Sequence, residues 1–223
     1  MTNIIEAVGL TKKYQDGDST VFALQNVSLK LPEGESMVII GPSGSGKTTL
    51  LQLLGGLEYP SEGTVKVHDK TLNAMDDGSL SAFRNSTIGF VFQFFQLHEY
   101  LTAKENIALP LMLAGKGGQE ANTRADELLK DMHLEDRSRH IPVQMSGGEM
   151  QRVAIARALA NHPKIILADE PTGNLDKKNA ENVLEIFSHI MKSGVSVVMI
   201  THDEGMSKRF TRSLHLDKGK LIS

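Results

Sequence analysis

Two hydrophobic textures alternate along the chain. Continuous apolar runs at Ser36–Ile40, Ile88–Phe92, Ile165–Ala168 and Val195–Ile200 predict strands covered on both faces, because such strands have no polar side to show. Between them, apolar residues recur at helical spacing. One such helix follows Gly46 through Thr48–Leu54 and stops at Gly55-Gly56. Another runs Lys178–Lys192, with Val183, Leu184, Phe187, Ile190 and Met191 on one face. Near the N-terminus the pattern changes to strict alternation. Val27-Ser28-Leu29-Lys30-Leu31 reads as a half-buried antiparallel strand. It predicts a pairing of Ile4–Leu10 with Val21–Leu31 across the polar turn Gln15-Asp16-Gly17-Asp18-Ser19. Thr64–Val67 adds a short strand, Asp76–Asn85 a short polar helix, and Arg212–Ile222 a terminal hairpin around Lys218-Gly219. Val- and Ile-rich strands with crossover helices between them imply a parallel sheet with helices on both faces.

From Gln93 to Ala156 the strand texture disappears. Lys104–Ala114 and Gln119–His133 read as helices separated by Gly115-Lys116-Gly117-Gly118, and Gly148–Asn161 as a third, ended by His162-Pro163. Residues 1–223 therefore read as a single domain. Its α/β core with an antiparallel β subdomain covers 1–92 and 157–223, and a helical subdomain is inserted at 93–156. Apolar residues make up 40% of the 223 and charged ones 23%, enough for a core that needs no covalent staples. Cysteine is absent, which excludes disulfides and thiolate metal sites. A net charge of −3 offers no electrostatic footprint for nucleic acid. Met1–Glu6 has neither the basic nor the apolar region of a signal peptide, and no apolar run approaches a membrane span. Work at a membrane would need another chain to supply the spanning part.

The chemistry centres on Gly41-Pro42-Ser43-Gly44-Ser45-Gly46-Lys47-Thr48, a full match to the phosphate-loop pattern G-x-x-x-x-G-K-[ST], placed between a buried strand and a helix as that pattern requires. The glycines let backbone N–H groups turn inward as an anion nest, and the helix start adds its partial positive charge. Lys47 is placed to reach β- and γ-phosphates, and the Thr48 hydroxyl to ligate Mg²⁺. Asp169-Glu170 closes an apolar strand at the end where parallel sheets bind ligands, suiting Asp169 to hold Mg²⁺ and Glu170 to polarise an attacking water. Ser146-Gly147-Gly148-Glu149 opens the third helix. It reads either as an ordinary N-cap with flexible glycines or as a second anion site. One nucleotide has no evident use for two nests on one chain, whereas a dimer would use both.

Taken together and in order, these segments resemble an ATP-binding-cassette (ABC) transporter ATPase subunit along essentially the whole chain. Gly41–Thr48 matches the Walker A motif and Ile165–Asp169 the Walker B motif, with Glu170 after it. Gln93 matches the Q-loop glutamine, Gly173-Asn174-Leu175-Asp176 resembles the D-loop, and Thr201-His202-Asp203 the switch histidine. Met145-Ser146-Gly147-Gly148-Glu149 resembles the signature, usually Leu-Ser-Gly-Gly-Gln, with Met for Leu and Glu for Gln. The resemblance implies a P-loop NTPase, RecA-like core. It implies ATP contacts from Tyr14 (stacked on adenine), Gly41, Ser43, Gly44, Ser45, Gly46, Lys47, Thr48 and Thr49. From a second copy it implies contacts through Ser146, Gly147, Gly148, Glu149 and Asp176. It puts Mg²⁺ on Thr48, Gln93 and Asp169, and catalysis on Glu170, His202 and Gln93. Glu149 adds negative charge near the second nest, and is expected to turn away from phosphate toward the helix flank.

Gly89–Leu97, Leu101–Ile107 and Leu167–Asp176 are further similar to the lipoprotein-release and macrolide-export group, and much of the pattern is shared with the cell-division ATPase that regulates cell-wall hydrolysis rather than transporting. Either implies a transmembrane permease partner, a place on the inner face of the cell membrane through that partner, and no nucleic acid. Phe92, Phe94 and Phe95 fit either the core or a groove that receives a helix of the membrane chain. The last predicted strand lies close to the end of this sequence, so no regulatory C-terminal domain is expected. A P-loop kinase would need an arginine-bearing lid and would have no use for Ser146–Glu149. Repair ATPases of the superfamily carry long coiled-coil insertions, and translation-factor relatives carry two cassettes.

Overall fold

The computed structural model describes residues 2–17 and 19–222; Asp18 of the expected N-terminal turn lies outside them. The chain opens with a long hairpin, β1 (Asn3–Asp16) and β2 (Ser19–Pro32). Alternation places Val27, Leu29 and Leu31 inside, and a bulge between Leu10 and Lys12 brings Leu24 to the same buried side. The pairing extends well past Leu10, to Gln15 opposite Thr20, through bulges around Leu10 and Lys12. Next come β3 (Ser36–Ile40), α1 (Lys47–Leu54), β4 (Glu62–Val67) and the two-residue β5 (Lys70–Thr71). Strands order β2-β1-β4-β5 in an antiparallel sheet. The remaining elements are α2 (Asp77–Thr87), β6 (Ile88–Val91), α3 (Ala103–Leu113), α4 (Gly118–Asp131), α5 (Gly147–Leu159), β7 (Ile165–Asp169), α6 (Lys177–Lys192), β8 (Ser196–Thr201), β9 (Arg212–Asp217) and β10 (Lys220–Ile222). The second sheet runs β10-β9-β3-β8-β7-β6. Strand β3 lies parallel to both β8 and β9, and β10 closes the edge antiparallel. The α/β architecture expected from the sequence is therefore observed.

Two compact units emerge. The first holds the chain up to Ser81, Leu167–Glu170, and everything from Ile190 onward. Its core is the fully buried β3 and β8 with Leu50, Leu53 and Leu54 of α1. The second comprises Ala82–Ile166 and Pro171–His189. Within it Ile107 and Leu111 of α3, Leu128 and Leu129 of α4, and Val153 and Ile155 of α5 are buried. Among the described residues no helix is long and apolar enough to cross a membrane.

Both ends of α1 follow from sequence. Gly46 precedes it at φ 102°, a left-handed angle that glycine alone adopts without strain, and a Cβ there would meet the Ala23 carbonyl oxygen at 2.4 Å. At the other end Gly55 returns its N–H to the Leu51 carbonyl. The turn Lys218-Gly219 holds two left-handed residues, φ 46° and 75°, the geometry that a two-residue hairpin demands. The Gly219 carbonyl accepts from Gln25 N–H, and its N–H donates to Ser45 O at 2.9 Å, tying the C-terminal hairpin to the glycine loop.

Candidate active site

The loop from Gly41 to Thr48 starts where buried β3 ends. Gly41 donates its N–H to Thr201 O at 3.3 Å, and a side chain at Gly41 would strike the Leu216 carbonyl at 2.1 Å, so the chain can enter the loop only as glycine. Gly44 and Gly46 take left-handed angles, φ 76° and 102°, and between them the Ser45 N–H closes the loop on the Pro42 carbonyl at 3.2 Å. Helix α1 has no side-chain cap and no acidic residue in its first turn, so its leading N–H groups have no competing anion of their own. Ser45 Oγ is buried without a protein partner, an orphaned polar atom inside the same nest. Lys47 is buried at 6% exposure and curls over the loop, its Nζ donating to Gly41 O at 2.8 Å and Pro42 O at 2.9 Å. The result is a cationic, donor-rich loop that suits polyphosphate.

The carboxylates arrive from β7. Asp169, at the end of that strand, shares a hydrogen bond with the Thr48 side chain. Burial pushes its carboxyl above the usual range, the Thr48 bond opposes the shift, the neighbouring Glu170 charge adds to it, and Lys47 opposes it. Glu170 has φ 40°, strained for a residue with a Cβ, and its N–H donates to Ile200 O at 3.0 Å on β8. That backbone twist aims the side chain at His202, whose Nδ1 lies 2.8 Å from Glu170 Oε2. The carboxylate only accepts, so Nδ1 carries the proton and Nε2 is the ring's remaining polar atom. His202 follows the last residue of β8; the next residue, Asp203, donates its N–H to Thr201 Oγ1 and caps the short helical turn Glu204–Arg209. Lys47, Thr48, Asp169, Glu170 and His202 all belong to the first unit. Tyr14 and Thr49 belong there too, and their side chains are hydrogen-bonded to each other.

In the second unit, Ser146 is the N-cap of α5. Its Oγ accepts from Glu149 N–H at 3.3 Å, while Glu149 Oε2 accepts from the Ser146 N–H at 2.8 Å and its hydroxyl at 2.9 Å. This is a reciprocal capping box. Arg137 Nε donates to the other carboxylate oxygen at 2.8 Å. The Ser146 backbone bond leads in pulling the Glu149 carboxyl down to about 2; burial opposes, and Arg137 reinforces. Glu149 thus turns back onto the cap, one carboxylate oxygen on Ser146 and the other on Arg137. A Cβ built at Gly147 would meet Leu175 Cδ2 at 3.6 Å and Phe95 Cζ at 3.7 Å, ordinary van der Waals contacts. At Gly148 the Asn179 amide would lie at 2.4 Å.

Asp176 caps α6, accepting from Asn179 N–H at 2.9 Å and from its amide at 2.7 Å, and that backbone bond leads in lowering its carboxyl. Gln93 follows β6; its carbonyl accepts from the Asn174 amide at 3.1 Å, and its own amide lies 3.5 Å from Asn174 Oδ1. Phe92 stacks flat on Phe90 at 5.8 Å and is half-buried, whereas Phe94 is 70% exposed. Phe95 and Gln96 both have positive φ, held there by Arg157, whose guanidinium donates to both carbonyls. Sequence reasoning missed Arg157, Asn106 and Gln151. Asn106, fully buried, accepts from His98 N–H and donates to three carbonyls of the loop before α3. Gln151 donates to Pro171 O at 2.8 Å from a fully buried position. Polar residues inside helical spacing are silent until the loops they hold are known.

A buried parallel strand feeding a left-handed glycine cradle, with a carboxylate from another strand of the same sheet bonded to the cradle's threonine, defines the P-loop nucleoside triphosphatases. Comparison narrows the class. Residues 24–173 match the ABC transporter family. The chain is 46% identical over 219 residues to the lipoprotein-releasing system ATP-binding protein LolD of Bacteroides thetaiotaomicron, covering 98% of this chain and 99% of that one. It superposes with TM-score 0.92 at 43% identity on a dimeric post-hydrolysis state of the ATP-binding cassette MJ0796 bound to ADP and Pi, over 98% of this chain and 97% of that one. A third relative is cbiO1 of Clostridium perfringens, part of the ABC transporter complex cbiONQ, with TM-score 0.87 and 26% identity over 100% of this chain and 88% of that one. The chain belongs to the ABC transporter family, as its ATP-binding and ATP-hydrolysing cassette.

Proposed function

We propose that this cassette binds Mg-ATP on the Gly41–Thr48 loop, hydrolyses it with Glu170 as general base, and does so between two copies of itself. The bond between His202 Nδ1 and Glu170 Oε2 is the observation that carries the chemical part. Glu170 is held in a strained backbone angle with its carboxylate already oriented, as a base must be before its water arrives. Water attacks the γ-phosphorus as its proton passes to Glu170, and the bond from that phosphorus to the β,γ-bridging oxygen breaks to leave ADP and phosphate. Lys47 and the loop N–H groups hold the β- and γ-oxygens; His202 fixes Glu170 through Nδ1–H and, by family resemblance, donates to γ-phosphate through its other nitrogen when that nitrogen carries a proton. Thr48 and Asp169, already hydrogen-bonded, would hold Mg²⁺. The ion supplies charge neutralisation on the transferring phosphoryl group.

The dimer reading rests on Ser146 and Gly147: a helix start whose first glycine would bring an added Cβ only to ordinary contact distances, so no feature of its own fold requires glycine there. Each ATP would sit between one copy's glycine loop and the other's Ser146–Gly148 turn, with Asp176 carrying information between the sites. The relation to LolD favours lipoprotein release driven through a transmembrane permease pair, with the cassette held at the membrane's inner face by that partner. Exposed Phe94 supports a docking surface there. Glu170→Gln tests the base directly. Turnover should fall about 10²–10⁴-fold with Mg-ATP affinity retained; near-normal turnover would remove Glu170 from the role.

A further inference from the structure

The phenol of Tyr14, read above as the adenine platform, makes contacts that stacking alone does not need. Its hydroxyl donates to Glu58 Oε2 at 2.7 Å and is joined by a second hydrogen bond to the Thr49 side chain, two positions beyond Lys47. Glu58 is also salt-bridged to Lys12 Nζ at 3.2 Å. The same ammonium donates to the Tyr59 carbonyl at 2.9 Å and stands 5.2 Å from the centroid of the Tyr14 ring. Lys12 and Tyr14 lie two apart on β1, so they share a face of the strand; Glu58 and Tyr59 come from the turn after α1, and Thr49 from α1 itself. Three separate segments therefore converge on one side chain that remains 38% exposed. The Tyr14 hydroxyl is shifted upward, burial first and the Glu58 bond second, as for a phenol that holds its proton as donor.

We propose that Glu58, with Lys12, is a positioning residue that locks Tyr14 against the phosphate-loop helix and so pre-sets the distance between nucleobase platform and phosphate cradle. Glu58 does not touch nucleotide. It fixes the χ angles of the ring and orients the phenol, while Lys12 covers one ring face by cation–π attraction and leaves the remaining surface for the base. Binding then costs no side-chain ordering at Tyr14. The inference rests on Tyr14 being the base platform, and the experiment separates the two.

Measure equilibrium binding of Mg-ATP and of inorganic tripolyphosphate to the full chain and to Glu58→Ala, Tyr14→Phe, their double variant, and Tyr14→Ala. Tyr14→Phe keeps the stacking ring and removes only the hydroxyl. Glu58→Ala and Tyr14→Phe should each weaken ATP about three- to tenfold, and the double variant should lose clearly less than the product of the two, because both cut the Tyr14–Glu58 bond while only the first loses the Lys12 bridge and only the second the Thr49 bond. Tripolyphosphate, which has no base, should bind all of them alike, and Glu58→Gln, which still accepts from the phenol, should restore most of the ATP affinity. ATP binding unchanged in Glu58→Ala and Tyr14→Phe while Tyr14→Ala weakens it overturns the positioning role and leaves the platform standing. Equal loss for ATP and tripolyphosphate overturns it in favour of a general structural role. Full ATP affinity in Tyr14→Ala overturns platform and positioning together.

Discussion

At the scale of single residues, the site is a set of side chains whose free choices have been removed. Lys47 is the clearest case. Its ammonium is buried and bonded to two loop carbonyls, so phosphate need only exchange for partners already within reach. Lys47→Ala removes a charge-assisted contact worth about 1.5–3 kcal/mol, which predicts a loss of ATP affinity of roughly 10- to 100-fold, checked by titration calorimetry. Retained tight binding would contradict the cradle. Much of this was legible in sequence, because a phosphate loop fixes both residue type and spacing. The pairing of Glu170 with His202 was not: the two are 32 positions apart, and only the β7–β8 adjacency in the sheet brings them together.

At the scale of elements, the signature helix explains its own departure from the family pattern. Position 149 is the third residue of α5, where a side chain must reach back to the N-cap N–H, and glutamate does so as well as glutamine while also engaging Arg137. Glu149→Ala should destabilise the chain by about 1 kcal/mol in urea denaturation and Glu149→Gln by less. Because the folded carboxyl sits at about 2, below its ordinary 4.5, its contribution is complete above pH 4.5 and is lost as pH falls from there toward 2. The wild type should therefore lose its advantage over Glu149→Ala across that window, and a pH-independent difference would refute the electrostatic part. The two glycines divide as well. Gly148→Ala must displace the Asn179 amide and should lower the melting temperature; Gly147→Ala meets only ordinary contacts and should leave melting unchanged while impairing ATP-driven association. The S-x-x-E signal of this cap was written in the sequence, and again at Thr102 and Glu105 of α3, but two glycines between its ends read equally well as an anion nest. Helix and strand positions were legible to within a residue or two. The extension of β1 to Asp16 was not, since Lys12, Lys13 and Gln15 look like loop until the partner strand and the Lys13–Glu62 pair account for them.

At the scale of the whole molecule, one chain presents two features suited to phosphate, and a single triphosphate fills only one. In the dimer proposed above, a second copy in head-to-tail arrangement would use both, and two-fold symmetry would close the assembly without open ends. ATP is then a ligand of the associated state more than of the isolated chain, and hydrolysis removes the contacts that distinguish the two, which is the differential affinity any ligand-driven switch requires. Neither the permease nor its cargo is written in these residues, since a motor subunit needs only a surface for its membrane partner.

The most direct measurement is the solution mass of the Glu170→Gln chain by analytical ultracentrifugation, with and without saturating Mg-ATP. The account predicts monomer without nucleotide and twice that mass with it, reverting to monomer when Gly147→Ala or Lys47→Ala is added. A strictly monomeric Glu170→Gln chain under saturating Mg-ATP would contradict it.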